Sequence, residues 1–201
     1  MSRLLDDLLT LSKADAGVPL DPHPITIGRF LEDFVQRYAT VWPARALEVR
    51  TSSLNGTQAS VDPEALRRVL TNLVENAARY STPGEPITIE EEAGQETVSI
   101  RVKDAGPGFV QEDARHVFER FYRGNKSRAR ASGGSGLGLS IVHALVQQSQ
   151  GKIRIETGPD RGTTVDISLA RLRQPVNHDR DMIAIRPPLE FVRHGRHAES
   201  V

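Results

Sequence analysis

The sequence predicts an α+β domain. Residues 86–92 (PITIEEE) and 97–103 (TVSIRVK) place apolar side chains at every second position, and so do 152–157 (KIRIET) and 163–169 (TTVDISL). That period is the pattern of half-buried strands, and the short connections 93–95 and 158–162 fold each pair into an antiparallel hairpin. The third observation is residues 62–81 (DPEALRRVLTNLVENAARYS), where the period changes to that of a helix.

Composition narrows the function classes. The chain has 201 residues and a formal net charge of zero, so neither nucleic acid nor an anionic membrane surface is indicated as its main partner. It has no cysteine, which excludes a disulfide framework and a thiolate metal site. No apolar run approaches the roughly 20 residues that span a bilayer. The first 17 residues (MSRLLDDLLTLSKADAG) contain scattered acids and no cleavage pattern, unlike a signal peptide.

In chain order, residues 3–16 set Leu4, Leu5, Leu8, Leu9 and Leu11 at helical spacing, with Gly17 as a stop. This helix has no cap and reads as the last turns of something that continues upstream. Residues 18–26 hold three prolines and read as a linker with an edge strand near Ile25. Residues 27–39 form an amphipathic helix with Phe30, Leu31, Phe34, Val35 and Tyr38 inward, and Pro43 ends it. Short strands at 47–52 and 59–61 are expected to join through the Asn55-Gly56 turn. Residues 111–118 form a short helix, 124–135 a basic, small-residue mobile loop, and a further helix runs to about Gln150, where Gly151 stops it. Residues from 173 onward are weakly periodic and read as a largely disordered tail.

The helix at 62–81 carries two stripes. Asp62 suits the cap, Pro63 the first helical position and Glu64 the first turn. Leu66, Val69, Leu70, Leu73 and Ala77 make the apolar face. Asn72, Glu75, Asn76, Arg79 and Tyr80 lie at i, i+3, i+4, i+7 and i+8, so they share a second face. Asparagine costs a helix roughly 0.5–0.7 kcal/mol relative to alanine, so two of them one turn apart mark a site. The strand at 97–103 then runs into Asp104-Ala105-Gly106-Pro107-Gly108-Phe109, a loop whose backbone can approach a planar ligand. Gly134-Ser135-Gly136-Leu137-Gly138 opens the later helix, whose free N–H groups suit an anion, with Lys126, Arg128 and Arg130 in the preceding loop. Neither the Walker phosphate loop nor the dinucleotide GxGxxG pattern fits these glycines.

Together these segments resemble, in order and spacing, the boxes of sensor histidine kinases. NLVENAARYS resembles the N box, DAGPGF the first glycine box, FERFYRG the F box, GGSGLGLSI the second glycine box, and GPDRGTTVDISL the closing Gly-Thr hairpin. The resemblance covers about residues 20–170. It implies a Bergerat-type two-layer α/β sandwich, with a mixed, mostly antiparallel sheet covered by three helices and an ATP lid. It also implies that residues 18–171 form the catalytic ATP-binding domain, that 1–17 are similar to the end of a dimerisation and phosphotransfer helix, and that 172–201 form the tail. By motif position Asn76 would ligate Mg²⁺ and Asn72 would support the ion or a phosphate. Arg79 would contact phosphate and Tyr80 would line the nucleotide. Asp104 would accept the adenine amino hydrogen, with Gly106 and Gly108 leaving room for the ring and Thr163 or Thr164 completing the contact. Arg120 or Arg123 would reach the γ-phosphate, and Gly134, Gly136, Leu137 and Gly138 would follow the phosphates.

The implied activity is transfer of the ATP γ-phosphate to a histidine, with a phosphoacceptor domain as direct partner, a response regulator as indirect partner and a cytoplasmic location in a parent kinase that can be membrane-anchored. None of the six histidines lies in the family's phosphoacceptor motif, so the acceptor is expected upstream in a longer chain or on a separate protein. The alternatives are a hydrolase of the wider superfamily, or a non-catalytic nucleotide-binding module. The hydrolases carry a glutamate four residues before the metal asparagine; Asn72 stands there, and Glu75 lies roughly 100° away on the helix.

Overall fold

The computed structural model describes residues 2–41, 46–51, 56–82, 84–123 and 135–172. Its elements run α1 (Ser2–Asp15), β1 (His23–Thr26), α2 (Ile27–Val41), β2 (Leu47–Thr51), β3 (Gln58–Val61), α3 (Pro63–Tyr80), β4 (Ile87–Ala93), β5 (Thr97–Asp104), α4 (Gln111–Ala114), α5 (Gly138–Gln148), β6 (Lys152–Thr157) and β7 (Thr163–Leu172). The seven strands form one sheet in the order β1-β3-β7-β5-β4-β2, with β6 also paired to β7. Every pairing is antiparallel except β2 with β4.

Alternation decides which face is covered. Val98, Ile100 and Val102 of β5 and Val165, Ile167 and Leu169 of β7 are buried on one face. Against them pack Leu31 and Phe34 of α2, Leu70 and Val74 of α3, and Ile141 and Leu145 of α5, in one continuous core. This is the expected two-layer arrangement, and α1 adds a fourth helix by packing against α5. Leu11 of α1 is buried there, while Leu5 and Leu9 remain exposed.

The uncovered face is polar, and along one row across the strands its charges alternate. Cross-strand register sets Arg50 beside Glu90, Glu90 beside Arg101, Arg101 beside Asp166 and Asp166 beside Arg154. Arg101 donates from Nε to Asp166 at 2.8 Å and pairs with Glu92 at 2.7 Å, and Ser99 donates to the other oxygen of Asp166.

The expected hairpin between 47–52 and 59–61 does not form. β2 lies at one edge beside β4, with Val49 opposite Ile89, whereas β3 lies between β1 and β7, with Ala59 opposite Ile25. Each strand is only four or five residues long, and the apolar rows it can extend on its neighbours outweigh the local turn preference of Asn55-Gly56. The helix expected at 111–118 is shorter, ending at Ala114. The lid residues 124–134 and the tail from 173 lie outside the described residues. Among the described residues no helix is long and apolar enough to cross a membrane.

Candidate functional site

The site is organised by α3. Asp62 caps it as the sequence requires: Oδ1 accepts from the amides of Glu64 at 2.8 Å and Ala65 at 3.1 Å, and Oδ2 from that of Asp21 at 3.0 Å. Partial burial pushes the Asp62 carboxyl upward, but these three amides together with His23 hold it below the usual carboxylate range. The face bearing Leu66, Leu70, Leu73 and Ala77 is buried, which leaves the second stripe turned toward a cavity of about 650 Å³. Asn72, Glu75, Asn76, Arg79 and Tyr80 all line that cavity.

At one end of it stands Asp104, the last residue of β5. Burial pushes its carboxyl above the ordinary range, and the amides of Gly106 and Thr163 pull part of the way back. The loop that follows is locked to the closing hairpin backbone against backbone. Asp160 donates its amide to Pro107 O at 2.8 Å, and Phe109 donates its amide to Thr157 Oγ1 at 3.2 Å. Thr157 in turn donates to Gly162 O at 3.1 Å. Gly108 has φ +59°, and a Cβ there would collide with the carbonyl of Gly158. Gly106 leaves no more room, since a Cβ would lie 2.7 Å from Tyr80 O. Thr163 lines the cavity beside Asp104, whereas Gly106 and Thr164 are not among its lining residues.

The other end is the start of α5. Leu137 caps this helix without a side-chain bond to its free amides, and Leu137 itself is buried. Uncapped amides facing a cavity are a ready anion site. Gly136 and Gly138 line the cavity; Gly134 lies outside the described residues. Asn72 donates from Nδ2 to Arg68 O at 2.8 Å, which turns Oδ1 toward α5, 3.1 Å from where a Cβ on Gly138 would sit.

The segment after α4 supplies a third wall. Val117, Tyr122 and Arg123 line the cavity, and Tyr122 donates its hydroxyl to Asp113 at 2.6 Å, which raises its phenol. Arg120 does not line it. Its guanidinium donates to Asp15 of α1 at 2.5 Å, and that bond lowers the Asp15 carboxyl while raising the Arg120 guanidinium. Helix α1 also reaches the cavity directly, through Leu4 and Asp7. Asp7 is buried and ion-paired with Arg68 at 3.0 Å. The sequence assigns no individual site role to Leu4, Asp7, Asp113, Tyr122 or Thr157. The Asp6-Asp7 interruption of the leucine run was the available signal for Asp7, but it does not name a partner 61 residues away.

Comparison with known proteins places this geometry. Residues 61–173 match the family described as histidine kinase-, DNA gyrase B-, and HSP90-like ATPase. The chain is 32% identical over 198 residues to the sensor-like histidine kinase SenX3 of Mycobacterium tuberculosis, covering 98% of this chain and 48% of that protein. It is 34% identical over 172 residues to the sensor histidine kinase WalK of Bacillus subtilis, covering 84% of this chain and 28% of that one. The mycobacterial sensor histidine kinase MprB superposes with a TM-score of 0.64 at 26% identity, covering 75% of this chain and 98% of that structure. The chain spans about half the length, or less, of these curated relatives.

Proposed function

The chain belongs to the histidine kinase-, DNA gyrase B-, and HSP90-like ATPase family, and from that premise we propose that it is the ATP-binding catalytic part of a two-component sensor histidine kinase. In this reading it transfers the γ-phosphate of ATP to a histidine on a phosphoacceptor domain, which then serves a response regulator. One observation carries the reading: a single cavity gathers Asn72 and Asn76, Asp104, Thr163, and Gly136 with Gly138, residues from four separate segments.

The chemistry follows from those groups. Ionised Asp104 accepts the adenine amino hydrogen; guanine presents a carbonyl there, and the partly buried carboxylate would face it without that partner. The free amides of α5 and the glycine approach receive the phosphates. Arg79 and Arg123 supply positive charge, and Tyr80 covers the nucleotide. The two carboxamides of Asn72 and Asn76 are hard oxygen donors of the type magnesium accepts, and the ion, when bound, neutralises phosphate charge. Catalysis then rests on position and charge neutralisation. Residues 1–17 serve as the end of the dimerisation and phosphotransfer helix and 18–171 as the catalytic domain, on the cytoplasmic side of the parent kinase.

The test is to incubate the chain with ATP, Mg²⁺ and a phosphoacceptor domain encoded beside it, and to follow phosphohistidine. Transfer is expected. No transfer under conditions where ATP binds would sink the kinase reading, and fast hydrolysis without acceptor would favour the hydrolase relatives. Asn76→Ala should cost more than about 100-fold in Mg²⁺-dependent ATP affinity, since even outer-shell changes cost 10- to 100-fold. Unchanged affinity would undo the site assignment.

A further inference from the structure

Asp7, Leu11 and Asp15 lie at i, i+4 and i+8, so α1 presents one narrow face of acid, apolar and acid. Each member meets its own partner. Asp7 pairs with Arg68 at 3.0 Å, Leu11 is buried in the core, and Asp15 accepts from Arg120 at 2.5 Å. Gln148 of α5 adds a bond from Nε2 to Val18 O at 3.2 Å just beyond the helix.

Arg120 is the one of these partners whose place is unexpected. Its neighbours Val117, Tyr122 and Arg123 all line the cavity, and Phe121 donates its amide to Gly136 O at 3.0 Å, which ties the backbone beside Arg120 to the entry of α5. Phe121 holds φ +61° to make that bond, a conformation a bulky residue adopts only when its surroundings impose it. The backbone at Arg120 is therefore fixed at the phosphate end, while its side chain is drawn outward by α1. The Asp15 and Arg120 side chains are 53% and 47% exposed, so the pair is weak and easily exchanged. A terminal phosphate offers a stronger, bidentate partner to a guanidinium.

We propose that Asp15 is a positioning residue that acts through Arg120: it holds the guanidinium outside the cavity, and loss of the ion pair gives Arg120 to the terminal phosphate of ATP. The inference rests on the nucleotide reading above. Its signature is discrimination between ATP and ADP, because only ATP carries the phosphate in question. A general change in packing would alter both affinities alike.

The experiment measures ATP and ADP affinities by calorimetry on the full chain, for the unaltered protein, Asp15→Asn, Asp15→Glu and Asp15→Asn/Arg120→Ala. Asp15→Asn is expected to raise the preference for ATP over ADP by up to about fivefold, the most that an exposed ion pair competing for Arg120 withholds. Asp15→Glu should keep the original ratio, and the double variant should return to it. An unaltered ratio in Asp15→Asn, or a raised ratio that persists without Arg120, overturns the proposal while leaving the nucleotide site intact. Failure of the unaltered chain to bind either nucleotide would instead sink the site and this inference with it.

Discussion

The two ends of the cavity are built by different means. At the Asp104 end the walls are backbone pressed on backbone. Gly108 lies against Gly158, Gly162 against Asp104, and Thr157 and Asp160 bond across between loop and hairpin. A Cβ added at Gly106, Gly108 or Gly162 would meet backbone atoms at under 3 Å. At the α5 end the wall is a helix terminus with no side-chain cap, flanked by side chains that already have other partners. The first end suits recognition of one rigid shape. The second suits a flexible, charged ligand whose contacts form and break. Helix α3 joins them, since Asn72 faces α5 and the Tyr80 carbonyl lies at Gly106, eight residues or about 12 Å apart along the axis.

Gly108→Ala attacks the rigid end most severely. A positive φ alone costs an alanine about 1–2 kcal/mol, and the collision with Gly158 adds to it. We expect a loss above about 2 kcal/mol in urea unfolding together with a steep loss of nucleotide affinity. Wild-type stability in this variant would show that the two loops are not locked as described.

Asp104→Asn spares the shape and removes the charge. One hydrogen bond to a charged group is worth about 1.5–3 kcal/mol, so ATP affinity should fall roughly 10- to 100-fold with little change in melting temperature. The pH dependence sharpens this. Burial holds the folded-state carboxyl above the ordinary carboxylate range, so affinity should fall as pH drops through that raised value. Without ligand the sign reverses: the raised pKa contributes stability below the unfolded value, and that contribution is lost as pH rises through the folded one. A variant that retained the parent's affinity and pH profile would take Asp104 out of recognition.

The smallest effect belongs to Asp62→Ala, which touches neither end but loosens the helix between them. Loss of an N-cap costs about 1 kcal/mol. Because the Asp62 carboxyl is held low, its contribution is present above the unfolded value and is lost as pH falls through the folded one. Stability curves of parent and variant should therefore be separate at neutral pH and converge in acid. Equal stability at neutral pH would contradict the cap.

Helix α3 was legible because Asp62, Pro63 and Glu64 announce its start and its two stripes differ in chemistry at fixed spacing. Asp104 was legible because an acid at the end of an alternating strand, followed by glycines two apart, is a local pattern. The β2 and β3 pairings were not, since four- or five-residue strands specify which face is inward but not which neighbour they join. The ion pair of Arg120 with Asp15 spans 105 residues and depends on how α1 docks, which no local period encodes. Asp7 entered the cavity wall for the same reason.

The row of side chains across the open face of the sheet, from Arg50 through Glu90, Arg101 and Asp166 to Arg154, reverses sign at every strand. Strands lie about 4.8 Å apart, so the pattern repeats every ~9.6 Å. The field of such a grating decays over its period divided by 2π, about 1.5 Å, far inside the roughly 8 Å over which salt screens an isolated charge. Within that row each inner charge is therefore offset by its two neighbours.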